Sequence, residues 1–131
     1  MGSNKRILTI DDEPEVIDLL RILLEGASYE VYAHASGKNA WEKINELQPD
    51  LVILDIMLPG IDGYTIQTQM VQRKETRDIP VIILTALEPA RTLFEKATNV
   101  KAFVSKPFKS EDLLDSVKLA LRSDAKEGTN G

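Results

Sequence analysis

The sequence predicts an α/β domain, a parallel five-stranded sheet covered by helices on both faces. Three observations carry this. Short apolar runs without polar alternation recur at residues 7–10, 51–54 and 80–84, as expected of strands buried on both faces. Amphipathic stretches with helical spacing separate them, the pattern of repeated βα units. Reactive side chains stand directly after the apolar runs, where open parallel sheets keep their ligand crevice.

The first strand is Ile7-Leu8-Thr9-Ile10, followed by Asp12 as a helix cap and Pro14 in the first turn. Val16, Leu20, Leu23 and Leu24 give that helix its inward stripe, and Gly26 is expected to end it in a left-handed conformation. Residues 29–35 form the second strand. Ser36 is the expected cap of a second helix, with Ala40, Trp41, Ile44 and Leu47 inward and Pro49 just beyond. Residues 51–54 form the third strand, and a helix after Gly63 turns Ile66, Met70 and Tyr64 to the core. Residues 80–84 form the fourth strand. A fourth helix starts near Pro89, with Ala90, Leu93, Phe94 and Ala97 on one face. Ala102-Phe103-Val104 is the fifth strand. Ser110 caps the fifth helix, whose stripe is Leu113 or Leu114, Val117, Ala120 and Leu121. Right-handed crossovers place these helices on both sides of the sheet.

At 131 residues the chain is long enough for one cored domain. Residues 5–122 form the folded unit, 1–4 read as an N-terminal extension or cloning remnant, and 123–131 as a flexible tail. Cysteine is absent, which excludes disulfides, thiolate metal sites and a cysteine nucleophile. Without an apolar run of membrane-spanning length or a signal-peptide pattern, the chain reads as soluble and cytoplasmic. A net charge of −5 argues against nucleic-acid binding by this chain itself.

Asp55 is the most informative residue, a carboxylate closing an apolar strand. Burying such a charge is costly unless something compensates it. Asp11, Asp12 and Glu13 follow strand one, Thr85-Ala86 follows strand four, and Ser105-Lys106-Pro107-Phe108 follows strand five. Carboxylates crowded on one rim require a proton or a cation. An all-oxygen site suits Mg²⁺, with Mn²⁺ as the substitute. A lysine and a hydroxyl beside it suit a phosphoryl group, and Asp55 would be the nucleophile that forms an acyl phosphate.

Asp11-Asp12, Asp55 with its Ile-Met-Leu-Pro-Gly-Ile-Asp-Gly continuation, Thr85-Ala86 and Lys106-Pro107-Phe108 resemble the receiver domain of two-component response regulators, the CheY-like family. The resemblance spans roughly residues 5 to 122, with every motif in order. It implies a flavodoxin-like, doubly wound sheet of order 2-1-3-4-5. It implies that Asp55 accepts a phosphoryl group from a histidine kinase or phosphotransfer partner. Asp12, Asp55 and the backbone carbonyl of Met57 would hold Mg²⁺, with Asp11 acting through bound water. Lys106 would pair with the phosphoryl group, preceding a cis Pro107, and Thr85 would hydrogen-bond it after transfer. Phe103 stands where the family has a rotating aromatic, although packing in the core explains it equally well. The face built by the fourth helix, fifth strand and fifth helix would carry the signal to a downstream protein or fused output domain.

Other residues receive plainer readings. His34 is a strand-edge histidine, Trp41 packs a helix, and Glu13 reaches the metal's water shell. Asn99 and Val100 replace a frequent Gly-Ala pair, and Asn99 is expected to keep the turn by accepting a left-handed conformation. Met57 and Leu87, each two residues past a key position, are expected to hinder an attacking water. Three other functions fit parts of the pattern. A Mg²⁺-dependent phosphatase with an aspartyl nucleophile commonly has a second acid where Met57 stands. A flavin or nucleotide carrier needs a phosphate loop where acids stand here. A phosphorylation-independent interaction module would not need the intact acidic and basic set. A signalling switch that takes part in its own phosphoryl transfer and autodephosphorylation, and is otherwise no enzyme, absorbs all of it.

Overall fold

The structure, a computed structural model, describes residues 4–58, 61–86 and 88–130. Five parallel strands, β1 (Arg6–Ile10), β2 (Glu30–His34), β3 (Leu51–Asp55), β4 (Val81–Thr85) and β5 (Val100–Ser105), pair in the order β2-β1-β3-β4-β5. Four α-helices join or follow them: α1 (Pro14–Gly26), α2 (Ala40–Leu47), α3 (Gly63–Gln72) and α4 (Ser110–Asn130). This is the expected flavodoxin-like order. The last helix continues past residue 122.

Alternation along the strands divides the core in two. Ile7, Leu51, Ile53, Ile82, Leu84 and Val104 pack against α1 and α4. Leu8, Ile10, Val52, Leu54, Val81 and Ile83 pack on the opposite face, against α2, α3 and Phe94. Each central strand therefore buries both faces, which is why its sequence shows no polar alternation. Among the described residues, no helix is long and apolar enough to cross a membrane.

The fourth predicted helix is not an α-helix. Residues Glu88–Phe94 form a 3-10 segment, continued by tight turns in which Ala97 N–H donates to Phe94 O and Val100 N–H to Ala97 O. A short helix draws its stability mainly from burying one face. Here Phe94 is buried, but Leu93 is 56% exposed and Ala97 only half-buried.

Several predicted caps shift by a few residues. Glu13, not Asp12, is the N-cap of α1, and its side chain makes no capping bond. Gly26 stays inside α1; the left-handed residue beyond it is Ser28, at φ 74°. The second helix starts after Asn39, itself left-handed, while Ser36 accepts the N–H of Lys38 in the loop. The carbonyl of Lys109, ahead of Ser110, accepts the first N–H bond of α4. Asn99 is not left-handed. It is buried, with Oδ1 accepting from Gln67 Nε2 at 2.9 Å and its carbonyl accepting from Val81 N–H at 2.8 Å. It holds its turn by hydrogen bonds to α3 and β4. Tyr64 turns outward in part, with its ring edge-on to Phe94 at 5.5 Å.

Candidate phosphoryl-acceptor site

The strand order reverses between β1 and β3, so the crevice of a doubly wound sheet opens at their carboxyl ends. Asp11 and Asp12 follow β1 and Asp55 ends β3 next to it. Thr85 ends β4, one step past the pair Asp55 and Leu84, and Lys106 follows β5. The residues singled out in sequence are thus brought to one rim.

Asp11 and Asp55 are almost fully buried, at 1% and 5% exposure, whereas Asp12 is exposed. Oxygens of the three carboxylates lie within 4.8 Å of one another. Lys106 Nζ bridges the buried pair, 3.0 Å from Asp55 Oδ2 and 2.9 Å from Asp11 Oδ2. The contact to Asp11 is an ion pair outside hydrogen-bond geometry. The other Asp55 oxygen, Oδ1, accepts the Met57 N–H at 3.1 Å.

Burial pushes the Asp55 carboxyl above its ordinary pKa, and the charge of Asp11 adds to this; bonds from Lys106 and Met57 N–H pull the other way. Burial also works against the Lys106 ammonium, but its contacts with the Glu13, Asp11 and Asp55 carboxylates outweigh it and hold its pKa above the ordinary lysine value. The lysine is therefore a fixed cation at neutral pH. It neutralises one of the crowded acids and leaves the cluster net negative. With three clustered carboxylates against one lysine, the all-oxygen donor set fits a hard divalent cation.

Local structure holds these groups in place. Lys106 N–H donates to Thr85 O at 2.9 Å, tying the β5 end to the β4 end, and the Lys106–Pro107 peptide is cis, as expected. Gly63 opens α3 directly beneath Asp55: a Cβ there would stand 2.5 Å from the Asp55 carbonyl oxygen. Its N–H donates to Ile56 O at 2.8 Å, and Asp62 caps α3 by accepting the Thr65 N–H at 2.8 Å. Phe103 is half-buried and lies on the same sheet face as Thr85. Its ring is 6.0 Å from that of Phe94 and lies under the Arg91 guanidinium at 4.9 Å. Met57 is 60% exposed on a groove of about 670 Å³ beside the site, lined also by Asp12, Leu58, Tyr64 and Leu93. Leu87 lies outside the described residues.

Two features escaped the sequence reading. Glu13 Oε1 lies 2.6 Å from Lys106 Nζ, a pairing that the sequence does not announce. The close packing of Gly63 under Asp55 was also missed, although a capping Asp followed by Gly at a helix start was a usable signal.

A family model for the response regulator receiver domain matches residues 7–118. The chain belongs to this family. It is a receiver domain, a phospho-accepting switch of two-component signalling. The DNA-binding dual master transcriptional regulator RpaA of Synechocystis is 39% identical over 118 residues, covering 89% of this chain and 49% of the relative. The receiver spans about half the length of the curated relatives it matches. A CheY-like receiver domain protein from Methanospirillum hungatei superposes with a TM-score of 0.86 at 28% identity, covering 95% of this chain and 99% of the other. The receiver domain of a sensor histidine kinase from Pseudomonas aeruginosa, solved with a magnesium ion in its active-site cleft, has a TM-score of 0.79 at 26% identity, covering 89% and 98%.

Proposed function

We propose that Asp55 of this receiver accepts a phosphoryl group from the phosphohistidine of a kinase or phosphotransfer partner in the cytoplasm. A carboxylate oxygen of Asp55 attacks phosphorus, the bond from phosphorus to the partner's imidazole nitrogen breaks, and the imidazole leaves with that electron pair and takes a proton. The observation that carries this is the buried Asp55 carboxylate, held between Lys106 Nζ and the Met57 N–H beside two further acids.

The residues divide the work by position. Lys106 keeps one cation against the oxygens that gain charge in transfer. The N–H of Met57 orients Oδ1, leaving Oδ2 on the Lys106 side. Asp12, Asp55 and the Met57 carbonyl, with Asp11 through water, would hold a Mg²⁺ ion or Mn²⁺ in its place, which would supply the remaining positive charge. The magnesium in the related Pseudomonas cleft and the close cluster of Asp11, Asp12 and Asp55 support this assignment. Thr85 supplies a hydroxyl to the phosphoryl group after transfer. Autodephosphorylation returns the carboxylate when water attacks phosphorus and the acyl oxygen leaves.

The output is a changed surface. Thr85 and Phe103 share a sheet face, so a Thr85 shifted toward the phosphoryl group alters the packing of Phe103 against Phe94 and Arg91. A downstream protein or fused output domain reading that surface need favour one packing by only a few kcal/mol. The phosphatase alternative is not needed, since no acid stands at Met57. Incubation with acetyl phosphate and Mg²⁺ should add one phosphoryl mass, lost in Asp55→Asn; an undiminished gain in that variant would overturn the acceptor assignment.

A further inference from the structure

Lys106 has a third acidic partner outside the metal cluster. Its ammonium lies 2.6 Å from Glu13 Oε1, closer than to either Asp11 or Asp55. An ammonium carries three N–H donors, and three carboxylates surround this one. Asp11 and Asp55 belong to the group of acids that fits a cation; Glu13 does not. The backbone of Glu13 is nonetheless fixed to that group. Its N–H donates to Asp11 Oδ1 at 2.9 Å, and its carbonyl accepts from Val16 and Ile17 in the first turn of α1. As an N-cap whose side chain makes no capping bond, it directs that side chain across to Lys106.

We infer that Glu13 is a positioning residue, the carboxylate that retains Lys106 when a divalent cation takes over Asp11 and Asp55. This rests on the acceptor-site reading above. In the metal-free protein the ammonium is the internal counterion of the two buried acids. A dication entering among Asp11, Asp12 and Asp55 repels it strongly at such short range. Without Glu13, the lysine either stays and competes with the cation or leaves for solvent, away from the phosphoryl position. With Glu13 it keeps one bond at the rim and has two N–H donors left for phosphoryl oxygens. Exposed Lys–Glu pairs contribute little; here the Lys106 side chain is 13% exposed and that of Glu13 53%, so solvent screens the pair from the Glu13 side only.

The test titrates Mg²⁺ alone into metal-free protein by calorimetry, with no phosphodonor. Glu13→Gln should weaken binding about fivefold, while Glu15→Gln, the same charge change on the exposed first turn of α1, should leave it nearly unchanged. Lys106→Met should tighten binding, and adding Glu13→Gln in that background should change nothing further. Equal weakening in both backgrounds, or no weakening at all, overturns the inference. A second readout guards against a poorly folded Lys106 variant. The ¹⁵N-labelled Lys106 ammonium signal should stay protected from exchange in Mg²⁺-loaded protein and vanish in Glu13→Gln; its persistence there also overturns the inference. Because phosphorylation is not read, labelling of Asp55→Asn would sink the acceptor assignment while leaving this coupling measured.

Discussion

As the proposed acceptor, Asp55 must be ionised to attack, and burial makes ionisation harder than for a free carboxyl. A raised carboxyl pKa means that the proton is lost at a higher pH in the folded state than in the unfolded chain. In metal-free protein, the cost of burying this charge is therefore absent at low pH and appears as pH rises through the folded pKa. Two outcomes follow at one residue. The rate of phosphorylation by acetyl phosphate should fall on acidification at a higher pH than an ordinary aspartate would give. The melting temperature of metal-free Asp55→Asn should exceed the wild-type value at neutral pH, with the gap closing in acid; a gap that widens in acid would contradict the sign. Met57 sets a second expectation. Its exposed side chain lies on the rim of the site, so Met57→Asn should shorten the phosphorylated lifetime by giving water a polar approach. Decay followed by intact mass checks this, and an unchanged half-life would remove Met57 as a shield. At this scale the sequence was highly legible, because Asp11, Asp12, Asp55, Thr85 and Lys106 sit at strand ends whose positions follow from apolar runs. What was not legible was Glu13 as a partner of Lys106, a contact between residues 93 positions apart that depends on which rotamers reach across the crevice.

The βα elements place the site, and their joints are where it is most easily disturbed. Gly63 is the sharpest case. An added methyl would meet the Asp55 carbonyl oxygen at 2.5 Å and the Ile56 Cα at 2.7 Å. Backbone cannot swing aside as a flexible side chain can, so α3 and the end of β3 must separate. Gly63→Ala should cost about 1–3 kcal/mol, measured by urea unfolding, and should slow phosphorylation in protein that is still folded. A neutral effect on both would mean that α3 does not register Asp55. The strands were predictable because runs such as Leu51-Val52-Ile53-Leu54 bury both faces. The caps were less so: Asp12, Gly26 and Ser36 have the right chemistry for a helix end, but tertiary contacts moved each end by one to three residues. The segment after β4 shows helical spacing, yet with Phe94 buried and Leu93 exposed it forms a 3-10 turn.

The whole molecule is a two-faced core with a charged crevice at the sheet's switch point. Stability and chemistry are separable across it. Ile53 is buried between β3 and the α1–α4 layer, two residues before Asp55. Ile53→Ala should cost about 2–5 kcal/mol in chemical denaturation while leaving phosphorylation near wild-type under conditions where the fold persists. A lost reaction in folded protein would place Ile53 within the chemistry. The sheet order follows from the family resemblance and not from spacing alone, since apolar runs fix which segments are strands but not their neighbours. The central claim, that this receiver stores its signal as an acyl phosphate on Asp55, is tested most directly by trapping that bond. Phosphorylated protein reduced with borohydride and mapped by peptide mass should carry homoserine at position 55 and nowhere else. Homoserine at another acid, or phosphate retained on a hydroxyl or an imidazole with Asp55 intact, would contradict it.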